Sequence, residues 1–140
     1  MLPLLVTAPE GGLTMSTKKV RVLIIDDEPD MRETMRYLLE REGFEVLVAA
    51  EGSEAMKLVR SAAVQVVVTD IYMPGKEGIE TIYDLRRESP HTRIIVMSGG
   101  GGRKGMDFLS VARELGAEKS LKKPFDPREL IDAVHALSAA

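Results

Sequence analysis

The chain has 140 residues, with 19 Lys and Arg against 22 Asp and Glu, a formal net charge of −3 and 44% apolar residues. That length suggests one domain with its own core, and that composition suits a soluble globular fold. The mild negative charge leaves no broad basic field for direct nucleic-acid binding. The absence of cysteine excludes disulfides and thiolate chemistry, and no apolar run approaches the roughly 20 residues of a membrane helix.

The opening Met1-Leu2-Pro3-Leu4-Leu5-Val6 looks like a fragment of a targeting signal. It lacks a positive n-region, however, and Pro3 interrupts a run already too short. Residues 1–17 are therefore read as a disordered leader, with a second methionine at Met15, and residues 18–140 as the domain.

From there strands and helices alternate. Residues 20–25 are a β-branched run. Residues 30–42 have helical spacing, with Met31, Met35, Leu38 and Leu39 on one face, Pro29 in the first turn and Gly43 as the stop. A second strand spans 44–49, and a helix opens at Gly52-Ser53-Glu54, with Ser53 as its expected cap. Residues 64–69 form a strand with little polar alternation, as expected when both sheet faces are covered. A helix over 77–88 points Ile79, Ile82 and Leu85 inward, and a fourth strand spans 93–97. A glycine loop leads into a helix from about residue 104 to Leu115, with Phe108, Leu109, Ala112 and Leu115 as its stripe. A short strand over 118–122 and a helix from Asp126 to about Leu137 complete the chain. Five βα units imply a parallel sheet with helices on both faces and right-handed crossovers. Ligands in such sheets bind beyond the carboxyl ends of the strands.

Those ends carry the chemistry. Asp26-Asp27 follows the first strand, Asp70 the third, Ser98 the fourth and Lys123 the fifth. In a doubly wound sheet of order 2-1-3-4-5 the first and third strands are neighbours, so the three carboxylates converge. Three unpaired anions would repel, and one would take up a proton. A hard divalent cation such as Mg²⁺ removes the conflict and commonly pairs with a phosphate. Lys123 offers a point charge for a phosphoryl oxygen, and Ser98 a hydroxyl.

Residues 22–27, Asp70-x-x-Met73-Pro74-x-x-x-Gly78, Met97-Ser98-Gly99 and Lys123-Pro124-Phe125 together resemble the response-regulator receiver domain of two-component signalling. The resemblance implies a flavodoxin-like (βα)5 sandwich with a parallel sheet of order 2-1-3-4-5. It implies that Asp70 is the phosphoacceptor, and that Mg²⁺ is held by Asp27, Asp70 and the backbone carbonyl of Tyr72, with Asp26 acting through a metal-bound water. Lys123, Ser98 and the Gly99 backbone N–H would contact the phosphoryl oxygens, and Lys123-Pro124 would be a cis peptide. The donor would be a sensor histidine kinase or a histidine phosphotransfer protein, the setting cytoplasmic, and the output binding to a downstream protein whose identity the sequence does not give. Such a domain catalyses only its own phosphorylation and reset.

The sequence departs from that family at two places. Ser120 stands three residues before Lys123, where the family carries an aromatic that reports phosphorylation. Gly99-Gly100-Gly101-Gly102 makes the loop after the fourth strand glycine-rich, so the expected signal is ordering of residues 98–104 and movement of the next helix, with Arg103, Lys104, Phe108 and Arg113 as partner surface. Gly100-x-Gly102-x-x-Gly105 also matches a dinucleotide fingerprint, but it follows the fourth strand rather than the first, and Glu118 begins a strand instead of ending one. His91 and His135 read as surface residues, and Glu28 as a helix-start charge rather than a further metal acid. Three alternatives to a stand-alone receiver are a receiver excised from a larger regulator, a pseudo-receiver that only binds proteins, and a phosphohydrolase. The last needs a second acid soon after Asp70, and Ile71-Tyr72 provides none.

Overall fold

The computed structural model describes residues 19–72, 78–99 and 108–139. Its elements alternate along the chain: β1 (Arg21–Ile25), α1 (Pro29–Arg41), β2 (Glu45–Ala49), α2 (Gly52–Ser61), β3 (Val66–Asp70), α3 (Gly78–Glu88), β4 (Arg93–Ser98), α4 (Phe108–Glu114), β5 (Lys119–Lys122) and α5 (Pro127–Ser138). The strands form one sheet of order β2-β1-β3-β4-β5, and every pairing is parallel. This is the (βα)5 sandwich expected from the sequence.

Alternation along each strand divides the core into two layers, because successive side chains point to opposite sheet faces. Val22, Ile24, Val66, Val68, Ile95 and Met97 pack with Met35 and Leu39 of α1 and Leu130, Ile131 and Val134 of α5. Leu23, Ile25, Val67, Ile94 and Val96 pack on the other face with Met56, Ile82, Leu85 and Ala112 from α2, α3 and α4. All five residues of β3 are buried, which explains its lack of polar alternation. Of the expected α1 stripe, Met35 and Leu39 are buried, and Met31 and Leu38 pack half-buried against the same cluster. Ile79, Leu109 and Leu115 also pack half-buried on their layer.

Several ends differ from the sequence reading. Helix α2 is capped by Glu51 without a side-chain cap bond. Ser53 lies inside the helix and donates its hydroxyl to Glu51 Oε1 at 3.1 Å, so it is not the cap. β3 starts two residues late, at Val66, because the Val64 carbonyl accepts the Thr92 hydroxyl at 2.9 Å. Asp126 is the N-cap of α5 rather than its first residue. It forms a reciprocal capping box with Glu129. Gly43 ends α1 at φ 95°, a conformation open to glycine without a Cβ clash. The leader, the glycine fingerprint, Arg103, Lys104 and the first expected turn of the fourth helix lie outside the described residues, as does the Phe108 side chain. Among the described residues, no helix is long and apolar enough to cross a membrane.

Candidate functional site

The alternation that builds the core also delivers the acids. Val22 and Ile24 point under α1 and α5, and Asp26 continues the same series; Val66 and Val68 do so in β3, and Asp70 continues theirs. The Asp26 N–H bonds the Ala49 carbonyl at 3.1 Å, extending the ladder past β1. In β5, Leu121 packs on the same layer and is followed two residues later by Lys123. Asp26, Asp70 and Lys123 therefore share a parity.

Lys123 Nζ donates to Asp70 Oδ2 at 2.9 Å and to Asp26 Oδ2 at 3.2 Å. The remaining oxygens are anchored by backbone. Asp26 Oδ1 accepts the Glu28 N–H at 2.9 Å, and Asp70 Oδ1 the Tyr72 N–H at 3.2 Å. Asp26 is completely buried and Asp70 is 8% exposed, whereas Asp27 is exposed. One carboxylate oxygen from each of Asp26, Asp27 and Asp70 lies within 4.8 Å of the others. That set of hard oxygen donors fits a divalent cation of the Mg²⁺ type, which is bound by carboxylates and keeps several waters. Glu28 does not join the cluster; it caps α1 through its backbone.

Burial pushes the Asp70 carboxyl above its ordinary value; the bonds from Lys123 and the Tyr72 N–H counteract this only in part, and Asp26 adds to the rise. Burial also opposes the charge on Lys123, but its bonds to Asp70 and the field of Asp26 outweigh it and raise the ammonium above its ordinary value. The two directions are compatible. Burial opposes the charge on both groups, and on Lys123 the two adjoining carboxylates of Asp70 and Asp26 outweigh it.

The other expected residues frame this centre. Ser98 ends β4, and its carbonyl accepts the Lys123 N–H at 2.7 Å, which ties the ends of β4 and β5 together. Gly99 follows, with nothing within 4 Å of where a Cβ would sit. Tyr72 packs half-buried on the second core layer. The Lys123–Pro124 peptide is cis. His91 is exposed; His135 is half-exposed and meets Glu42 at 3.1 Å, so neither belongs to the centre.

One supporting residue, Arg32, escaped the sequence reading, and a second, Gly78, was noted there only as part of a motif. Arg32 Nη1 donates to the Asp26 carbonyl at 2.8 Å, bracing the acidic turn from α1. Gly78 donates its N–H to the Ile71 carbonyl at 3.1 Å, and a Cβ there would stand 2.6 Å from the Asp70 carbonyl oxygen. Its place eight residues after Asp70 was visible; the backbone contact was not.

A parallel sheet with acids and a lysine at its carboxyl edge defines a class, and comparison with known proteins identifies it. The family model described as response regulator receiver domain matches residues 22–135, and the chain belongs to that family. It is similar to the transcriptional regulatory protein CpxR of Klebsiella pneumoniae subsp. pneumoniae, 35% identical over 117 residues that cover 84% of this chain and 48% of CpxR. It thus spans about half the length of that relative. Sporulation initiation phosphotransferase F of Bacillus subtilis is 32% identical, over 81% of this chain and 90% of its own. The structure of chemotaxis protein CheY4 from Vibrio cholerae superposes with a TM-score of 0.77 at 27% identity, covering 86% of this chain and 99% of that one. Receiver domains of this family are phosphorylated by histidine kinases or phosphotransfer proteins.

Proposed function

We propose that this domain takes a phosphoryl group from a phosphohistidine onto Asp70 and signals by the conformational change that follows. The observation that carries the reading is Lys123 bonded to both Asp70 and Asp26 at the carboxyl edge of the sheet. An Asp70 carboxylate oxygen attacks phosphorus in line, the new P–O bond forms as the P–N bond breaks, and the histidine nitrogen keeps the electron pair. Positioning and charge neutralisation supply most of the catalysis in such transfers. Lys123 would exchange its bond to Asp70 for one to a phosphoryl oxygen, a reading supported by its present bond to that carboxylate. Ser98 and the Gly99 N–H, at the end of the adjoining strand, are assigned to the other oxygens.

Asp27, Asp70 and the Tyr72 carbonyl would hold Mg²⁺, and Asp26 would act through a water. The differing roles of the paired acids are supported by Asp26 spending both oxygens on Lys123 and the Glu28 N–H, while Asp27 stays exposed. Bound Mg²⁺ would neutralise the acidic cluster and the incoming phosphoryl charge. The partners are then a histidine kinase or phosphotransfer protein upstream and a protein downstream, in the cytoplasm.

Incubation with Mg²⁺ and acetyl phosphate, followed by intact-mass measurement, tests this. The native chain should gain one phosphate and Asp70→Asn none. A gain that survives in Asp70→Asn, or no gain from any donor, would overturn the assignment.

A further inference from the structure

At the opposite edge of the sheet, the amino ends of β3 and β4 and the carboxyl end of α5 enclose an open cleft. Gln65, Pro90, His91, Arg93, Leu137 and Ser138 line it, with a volume of about 420 Å³, within the range of roughly 300–1,000 Å³ usual for small-ligand sites. None of these six residues is acidic. Arg93 is half-buried there, and its guanidinium has no hydrogen-bond or ion-pair partner among the described residues. Each other half-buried cation among them has one. Arg21 is paired with Glu45, Arg36 with Glu33, and Lys123 with Asp26 and Asp70. Arg32 reaches the Asp26 carbonyl, and Arg86 the Thr92 carbonyl. Among the described residues, then, a half-buried arginine faces a cleft lined by no acid and has lost part of its hydration without a counter-charge; an incoming anion would supply one.

The neighbours are arranged as donors. The Gln65 side-chain oxygen is already taken by the Arg21 N–H at 2.7 Å, which leaves its NH₂ to face a ligand. The Gln65 carbonyl, one residue before β3, holds the Arg93 N–H at 2.9 Å, which ties the backbones of the two residues together at the mouth of the cleft. The exposed His91 ring offers a further N–H. The Ser138 hydroxyl is committed to the His135 carbonyl and contributes none. The carbonyl end of α5 carries partial negative charge, so an anion would sit on the strand side, against Arg93 and Gln65. Leu137 and Pro90 provide an apolar wall.

We propose that this cleft binds a small organic carboxylate, with the carboxylate forked on Arg93, the Gln65 amide and His91 at its flanks, and a short hydrocarbon against Leu137 and Pro90. The site is independent of the phosphoryl chemistry and lies at the other end of the same two strands.

The test is an NMR titration of the ¹⁵N-labelled full chain with butyrate at fixed ionic strength, with chloride and inorganic phosphate in parallel. Butyrate should give saturable shifts of the Gln65 side-chain NH₂ and of the His91, Arg93 and Leu137 amides, leaving the amides around Asp70 unmoved. Arg93→Gln should weaken binding about tenfold or more, equivalent to about 1.4 kcal/mol. Gln65→Glu, which places a carboxylate in the cleft, should abolish it and serves if Arg93→Gln fails to fold. Shifts that never saturate and are shared by chloride, saturation by phosphate alone, or native affinity in either variant would overturn the proposal. Phosphate gain from acetyl phosphate, read separately, reports on Asp70 alone.

Discussion

Lys123 is the residue on which the charge balance of the centre depends. Its ammonium serves two carboxylates that are almost fully withdrawn from water. Removing one member of such a group leaves uncompensated buried charge. In chelator, Lys123→Met should therefore lower unfolding free energy by about 2–3 kcal/mol, somewhat less than the 3–5 of a fully enclosed pair because the site is open on the Asp27 side. Urea unfolding measures it. Added Mg²⁺ should recover part of the loss, since a cation can replace the missing ammonium. The types at this centre were legible because acids and a lysine after apolar runs are conspicuous. The resemblance already gave Asp26 and Asp27 different expected roles; what it did not give was their burial, and the parity that Asp26 shares with Val22 and Ile24 accounts for Asp26 being buried and Asp27 exposed.

Among the elements, α3 and α5 begin in contrasting ways. α3 starts at Gly78, packed on the backbone of Asp70 and Ile71. Gly78→Ala would force backbone apart rather than displace a flexible side chain, and should cost about 3 kcal/mol or more, the upper range for overpacking. It should also slow phosphate gain at Asp70, because the displaced segment carries that residue; denaturation and intact-mass time courses together would show both effects. α5 starts with the Asp126–Glu129 capping box. Asp126→Ala should cost about 1 kcal/mol and leave phosphate gain unchanged, since the cap makes no bond to the acids. The sequence reading took Asp126 as the first residue of α5 and missed the cap, although a capping box is a local pattern that the spacing to Glu129 shows. The end of α2 could not be read that way: Ser53 is a good cap by type, yet Glu51 occupies the position. The contact of Gly78 with β3 is likewise tertiary, and no local pattern announces it.

Across the whole molecule, the two apolar layers hold the sheet and the acidic edge is a local addition to them. Core residues such as Leu39, Val134, Ile82 and Leu85 are fully buried without involving the acids. Chelation should accordingly leave the chain folded, and Mg²⁺ should raise its melting temperature modestly and in a concentration-dependent way, as a ligand of the native state does. Calorimetry with and without chelator checks this; unfolding on chelation would make the metal structural. The five-unit architecture was the most legible level of all, because strand and helix periods repeat over the full domain. Of the segment over residues 98–104 where the signal is expected, only Ser98 and Gly99 lie within the described residues.

The shared parity of Val66, Val68 and Asp70 has a consequence for how this chain can change over generations. Substitution within β3 asks only that a new side chain fit one layer. Loss or gain of a single residue there would exchange the two layers and turn Asp70 from α1 and α5 toward α2 and α3, away from Lys123. Point replacement is thus open to this segment while changes of length by one are closed, so variation in length must collect in the connections between elements.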